Sequence, residues 1–294
     1  MYHDYIIARR RIRMSGPQAD LERIGLPSFG PFAAEYDPDA ETAAEIETGV
    51  PIDAAALKFE ELTRFDFNDG AAECIFGRDD DSYVFIIGDG QSTPTVFVYD
   101  IASCRAQSNM GVTERFEAAF ARFGIWFMTN IATAPYLTSA VHTSTLVYNG
   151  EAVMFLGESG TGKSTHTRLW RENIAGTTLL NDDSPFIAVA DGRPEVFGSP
   201  WSGKTHCYKN EHYPLRAVVR LSQAPHNAIR RLRGAHAVGA LLPSLPPAFA
   251  FDKRLEEFMI DTLSAAIAAV PVYHLECLPD AAAARLAHDT IFGA

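Results

Sequence analysis

Residues 157–165 read Gly157, Glu158, Ser159, Gly160, Thr161, Gly162, Lys163, Ser164, Thr165. This stretch is a complete G-x-x-x-x-G-K-[ST] phosphate loop. A triphosphate needs several backbone N–H donors converging on it, and only a glycine-rich turn lets the main chain come so close. Gly157, Gly160 and Gly162 supply that freedom. Lys163 would set its ammonium by the β- and γ-phosphates, Ser164 would offer its hydroxyl to Mg²⁺, and the helix starting there would turn its positive end to the anion. The context suits the motif: residues 152–156 (AVMFL) read as a buried strand entering the loop, and residues 164–173, with Leu169 and Trp170 and no proline, read as the helix leaving it. The chain is thereby expected to bind ATP with Mg²⁺, through Gly157 to Thr165.

Working outward, Asn181-Asp182-Asp183 directly follows an expected strand at residues 177–180, 19 residues beyond Lys163. Adjacent carboxylates at a strand end can divide labour, one holding Mg²⁺ and the other taking a proton from an attacking hydroxyl. On the other side, residues 144–148 (STLVY) and 152–156 flank Asn149-Gly150, the pattern of a two-residue type I′ hairpin. The loop therefore hangs from a hairpin strand, and His142 opens that hairpin. Residues 198–205 satisfy G-x-x-x-x-G-K-T a second time. Pro200 and Trp201 occupy positions where free N–H groups are needed and no helix pattern follows, so these residues read as an active-site loop whose Lys204 can meet a phosphate. Arg230 and Arg231 alternate on a further strand, so at most one of them faces the site.

Elsewhere the pattern is mixed. Residues 5–12 read as one strand, Arg9, Arg10, Arg11 and Arg13 as a solvated strand face, and residues 27–51 as an acidic loop or short solvated helix. Residues 73–77, 83–88 and 95–101 read as an antiparallel meander. Thr113 reads as an N-cap, and Phe116, Phe120, Phe123 and Phe127 give a helix over 114–132 with an aromatic core stripe. Further strands are expected at 184–190, 194–197, 217–221, 229–232 and 272–277, with helices near 247–268 and 280–291. The expected fold class is α/β with a mixed sheet: residues 1–130 form a smaller β-rich α+β module and residues 131–294 a kinase domain built on the phosphate loop.

Composition bounds the function. The chain has 294 residues, 47% hydrophobic and 21% charged, as in ordinary globular proteins. With 25 Lys and Arg against 37 Asp and Glu, the net charge of −12 argues against a nucleic-acid partner, which needs a basic face. Arg9 to Arg13 interrupt the start and no apolar run follows, so no signal peptide is expected. The most apolar late stretch, residues 258–275, holds Asp261 and Pro271, so no membrane span is expected either. Four scattered cysteines form no C-x-x-C, which suits a reducing cytoplasm.

His142, the loop at 157–164 and Asn181-Asp182-Asp183 together resemble the catalytic domain of the HPr kinase/phosphorylase family, whose phosphate-loop fold is shared with the phosphoenolpyruvate carboxykinases. The resemblance covers about residues 135–235. It implies Lys163, Asp182 and His142 as catalytic residues: Lys163 on the phosphoryl groups, Asp182 as general base toward a serine hydroxyl, His142 as polar support. It implies Ser164 and Asp183 as Mg²⁺ ligands, although the two aspartates can exchange roles. Family members assemble into rings, which implies a homo-oligomer. Thr165 stands where HPr kinases carry glutamate, and the family's C-terminal signature is absent. These departures look more like the HPr-kinase-related proteins outside sugar regulation, some of which phosphorylate a serine of a peptide precursor. The expectation is an ATP-dependent kinase acting on a serine of a protein or peptide. A small-molecule kinase or carboxykinase-like enzyme, or a non-catalytic ATP-binding regulator, is the alternative.

Overall fold

Alternating apolar and polar residues in the first third of the chain build a nine-stranded sheet. In the computed structural model, which describes residues 1–24, 27–67, 69–111 and 118–293, this sheet belongs to one of two units, formed by Met1–Thr133 with Ala248–Leu255. Its strands are β1 (Tyr2–Ile7), β2 (Arg10–Ser15), β3 (Ala33–Ala34), β4 (Ala44–Glu47), β5 (Glu60–Phe67), β6 (Ala72–Arg78), β7 (Ser82–Gly88), β8 (Thr95–Asp100) and β9 (Arg105–Ser108). The order is β3-β1-β2-β4-β9-β8-β7-β6-β5. A helix α1 (Gln18–Ile24) follows β2.

The meander from β6 to β8 falls where its alternation places it, and β5 and β9 extend it on either side. Three expectations are corrected. The single strand at 5–12 is a hairpin, because Ala8 and Arg9 adopt positive φ (47° and 66°) and reverse the chain without the glycine or asparagine that would announce it. Two of the four arginines leave the expected solvated face: Arg11 and Arg13 converge on the Asp4 carboxylate at 2.6 and 2.8 Å, and Arg13 is buried, while Arg9 is exposed. Burial pushes the Asp4 carboxyl up, but the bonds from Arg13 and Arg11 outweigh it and hold it below the usual range. The acidic 27–51 segment contains β4, which lies parallel to both β2 and β9. Buried Ala44 and Ile46 alternate there with Glu45 and Glu47, which accept from Arg105 at 3.0 Å and Gln107 at 3.1 Å.

Helix α2 (Ala118–Thr133) supplies the core of this unit. Phe127 stacks on Phe85 with ring centroids 4.3 Å apart, and Phe123 packs tilted on Phe67 at 4.8 Å. Phe120 meets Phe67 edge-on. Thr113 and Phe116, the expected cap and first ring of the stripe, lie outside the described residues.

The second unit comprises Ala134–Pro247 with Glu256–Ala294. Residues 248–255, which the sequence reading assigns to the 131–294 part, pack instead with the first unit. The strands of the second unit are β10 (Thr138–Ala140), β11 (Thr143–Tyr148), β12 (Glu151–Leu156), β13 (Thr178–Asp183), β14 (Phe186–Ala190), β15 (Arg193–Phe197), β16 (His212–Gln223), β17 (Ala228–Leu232) and β18 (Val272–Cys277). They run β10-β14-β15-β16-β12-β11-β13, with β18 beside β16 and β17 beside β18. Among the described residues β12–β16 and β16–β18 are the parallel pairs of this unit, so the sheet is mixed. The Asn149-Gly150 turn has the two positive φ values (51° and 77°) that a type I′ hairpin requires.

Helices α3 (Lys163–Asn173) and α6 (Ala281–Phe292) cover one face, burying Leu169, Trp170, Ala284 and Ala287 on Val153, Phe155, Val219 and Leu275. Helix α4 (Ala235–Leu241) was not legible in the sequence. The expected helix at 247–268 is a short 3-10 segment, Pro247–Phe251, then α5 (Lys253–Ala269). No helix among the described residues is long and apolar enough to cross a membrane. All four cysteines are free.

Candidate active site

Strand register brings the sequence motifs to one end of the neighbouring strands β12, β11 and β13. Ser144 of β11 pairs with Phe155 of β12 on one side and with Asp182 of β13 on the other. The loop that follows Leu156, the start of β11 at His142, and Asp182-Asp183 are thereby neighbours. The Asn-Asp-Asp run lies inside β13 and not after it, because pairing with Thr143 and Ser144 extends the strand through Asp183.

In the loop, Gly157, Gly160 and Gly162 all take positive φ, at 157°, 81° and 100°. An added Cβ at Gly160 or Gly162 would meet nothing, so backbone conformation and open approach, not crowding, call for glycine there. Gly162 starts α3 in a left-handed conformation, and no side chain caps the helix. The first-turn N–H groups are thus left to face an anion. Lys163 curls inward, its Nζ donating to Gly157 O at 2.7 Å and Glu158 O at 3.2 Å. Burial lowers its pKa, and nearby Arg220 acts the same way against the pull of Asp183 and Asp182. Ser159, Thr161 and Thr165 lie in the loop and the first turn of α3, and Thr161 Oγ1 closes the turn by donating to Glu158 O at 2.8 Å.

The two aspartates have different surroundings. Asp182 is buried and accepts from Ser164 Oγ at 2.9 and 3.2 Å through its two carboxylate oxygens. Asp183 is half exposed, and its Oδ1 stands 3.7 Å from His142 Nε2. Burial against the sheet edge raises the Asp183 carboxyl, with the His142 ring opposing, and burial followed by Lys163 lowers His142. The His142 backbone is fixed by its N–H donating to Ser244 O at 2.6 Å.

The second G-x-x-x-x-G-K-T pattern turns out to need its glycines for close chain approach. A Cβ at Gly198 would stand 2.0 Å from Lys209 O, and one at Gly203 3.0 Å from Asp182 O. Gly203 N–H donates to Asp182 O, which places this loop against the carboxylates, while Lys204 is exposed at its tip. No helix follows. Arg230 sits on β17 and donates to His274 Nδ1 at 3.3 Å.

Sequence reasoning missed Arg220 and Gln223. Arg220 pairs in register with Leu156, the last residue before the loop, and its guanidinium lies 3.4 Å from Glu158 Oε1. Gln223 Nε2 donates to Gly160 O at 3.2 Å. The signal was a lone charge near the end of an apolar parallel strand, residues 217–221 (AVVRL). Also unread was a pocket of about 560 Å³ beside the loop, between Thr165 and Leu169 of α3, Leu221, and Leu278-Pro279. Its size and apolar walls fit a nucleoside.

Among the described residues no group of three or more His, Cys, Asp or Glu side chains is arranged to hold a metal. Ser164 and Asp182 nevertheless offer two oxygen donors in contact. That suits Mg²⁺, which takes one or two protein oxygens and fills its shell with phosphate and water.

No family model matches the sequence, and no curated protein matches it. Among solved structures, the HPr(Ser) kinase/phosphatase from Coxiella burnetii is similar at 12% identity and a TM-score of 0.31, over 52% of this chain and 92% of that one. The likeness to a kinase/phosphatase is thus a distant one, over about half of the chain.

Proposed function

We propose that this protein is an ATP-dependent kinase that moves the γ-phosphoryl group to a hydroxyl, a serine of a protein or peptide. The observation that carries the reading is the Ser164–Asp182 contact at 2.9 Å, one strand edge from the Asp183–His142 pair at 3.7 Å. One carboxylate is committed to the loop serine and the other is free to face an acceptor.

This favours exchanging the roles that the resemblance implies. Asp182, with Ser164, is suited to hold Mg²⁺, which supplies charge neutralisation on the β- and γ-oxygens when bound. Asp183 is suited to receive the acceptor proton: it is the more exposed carboxylate, and its raised pKa makes it a better base than an ordinary aspartate. His142 orients Asp183. The acceptor oxygen bonds to the γ-phosphorus as the bond to the β,γ-bridging oxygen breaks. ADP leaves with that electron pair, and the hydroxyl proton passes to Asp183. Lys163, Arg220 and the exposed Lys204 supply positive charge toward the transferring group, where preorganised cations contribute most. The pocket beside Leu169 and Leu278 takes the nucleoside.

The test is mass spectrometry of candidate peptides and metabolites after incubation with Mg²⁺ and ATP, with three variants alongside. Lys163→Ala is expected to lose nucleotide turnover. Asp182→Asn is expected to weaken Mg·ATP binding. Asp183→Asn is expected to keep Mg·ATP affinity and lose transfer by about 10²- to 10⁴-fold. Wild-type transfer rates in Asp183→Asn would return the base to Asp182.

A further inference from the structure

Of Asn181, Asp182 and Asp183, the phosphotransfer reading gives Asn181 no task, yet Asn181 is the most enclosed of the three, with no exposed surface. Its Nδ2 donates to Trp201 O at 2.9 Å and lies 3.4 Å from each of Ser199 O, Ser199 Oγ and Cys207 O. Its Oδ1 accepts from Ser184 N–H, the first backbone donor after Asp183, at 3.0 Å. One side chain thus ties the loop of residues 199–207 to β13 and pins the chain just past the carboxylates.

The tie matters because β13 is an edge strand. Its carbonyls are met by this loop and the segment just after it: Cys207 Sγ lies 3.2 Å from Leu180 O, Gly203 N–H with Ser202 Oγ reaches Asp182 O, and Lys209 Nζ donates to Leu179 O at 2.7 Å. Asp183 adopts φ 146°, which a non-glycine residue holds only where its surroundings enforce it. Ser202 bridges to Asp183 from the loop side, and Asn181 holds Ser184 on the other.

We propose that Asn181 is a positioning residue for phosphoryl transfer: it hangs the 199–207 loop on the edge of β13 and thereby fixes the backbone that aims Asp183, while Asp182 is held separately by Ser164. This rests on the kinase reading of the site. The amide is required because the loop presents carbonyl oxygens, toward which an aspartate of the same shape has no N–H to donate.

The experiment compares full-length wild type with Asn181→Asp, which keeps the shape and the acceptor oxygen, and with Ser199→Ala, which loosens the tie from the loop side. Hydrogen exchange over residues 199–209, Mg·ADP affinity by calorimetry and ATP turnover are measured on each. Asn181→Asp is expected to speed exchange in this loop, to keep Mg·ADP affinity within about threefold and to lose about 100-fold in turnover, the scale of a misplaced reacting group. Ser199→Ala is expected to move the same way by about tenfold, and it decides the matter if Asn181→Asp does not fold. Loop exchange unchanged in the folded variants, or turnover falling only in step with Mg·ADP affinity, overturns the proposal. Wild type failing to bind Mg·ADP would defeat the kinase reading instead, and the exchange comparison would still decide whether Asn181 carries the loop.

Discussion

His166 sits in the first turns of α3, almost fully buried, with Trp170 Nε1–H donating to its Nε2 at 3.1 Å. Accepting that bond keeps the ring neutral, and burial pushes its pKa down to about 4. The unfolded chain takes up this proton near the ordinary histidine value of about 6.5. The contribution to stability is therefore fully present above that pH and is lost as the pH falls toward 4, by about 3 kcal/mol over the window. In urea unfolding at pH 7 and pH 4.5, wild type is expected to lose about 2 kcal/mol more than His166→Gln, which cannot titrate. Equal losses in the two proteins would show that His166 does not drive the acid sensitivity. The consequence reaches the site, since α3 carries Lys163 and Ser164 on its first turn.

At the scale of elements, packing overrides propensity in α2. Gly124 is poor for a helix interior, and alanine there would gain about 1 kcal/mol in propensity alone. An added Cβ would, however, stand 1.9 Å from the ring of Phe97, which is fully buried on β8. Overpacking of that severity costs about 1–3 kcal/mol or more, so it wins. Gly124→Ala is expected to be destabilised by about 1–2 kcal/mol in denaturant unfolding. A variant as stable as wild type would show that the Phe97 ring can yield. The same competition explains which elements the sequence revealed. The β11–β12 hairpin was legible because Asn149-Gly150 carries its own turn chemistry, and α3 because its start is a motif. The β1–β2 hairpin was not, since Ala8 and Arg9 reach positive φ under the pull of strand pairing and the Asp4 ion pairs. Strand β4 was hidden because glutamates that read as solvated are side-chain partners of β9.

At the scale of the molecule, what the sequence withheld is long-range. The loop, the Asn181-Asp182-Asp183 run and His142 could be named because each has a local chemical pattern, whereas the contacts that surround Arg220 and the Asn181 amide come from strands and loops met only after folding. The same holds for residues 248–255, which return to complete the N-terminal unit. Asp252 there is nearly fully buried and accepts from Tyr83 Oη and Arg78 Nη1, each at 2.9 Å, across 169 and 174 positions of sequence. It also accepts from Leu255 N–H at 3.0 Å, closing the first turn of α5, while Phe249 packs edge-on against Phe127 at 5.7 Å. The Arg78 end is partly exposed and contributes little, but Tyr83 is buried and its hydroxyl would be left without an acceptor. Asp252→Ala is therefore expected to cost about 2–3 kcal/mol in urea unfolding. Asp252→Asn, which keeps an oxygen for Tyr83 but loses the charge on Arg78, is expected to cost about half as much. If alanine and asparagine cost the same, the ion pair and not the Tyr83 bond would be what fastens this segment.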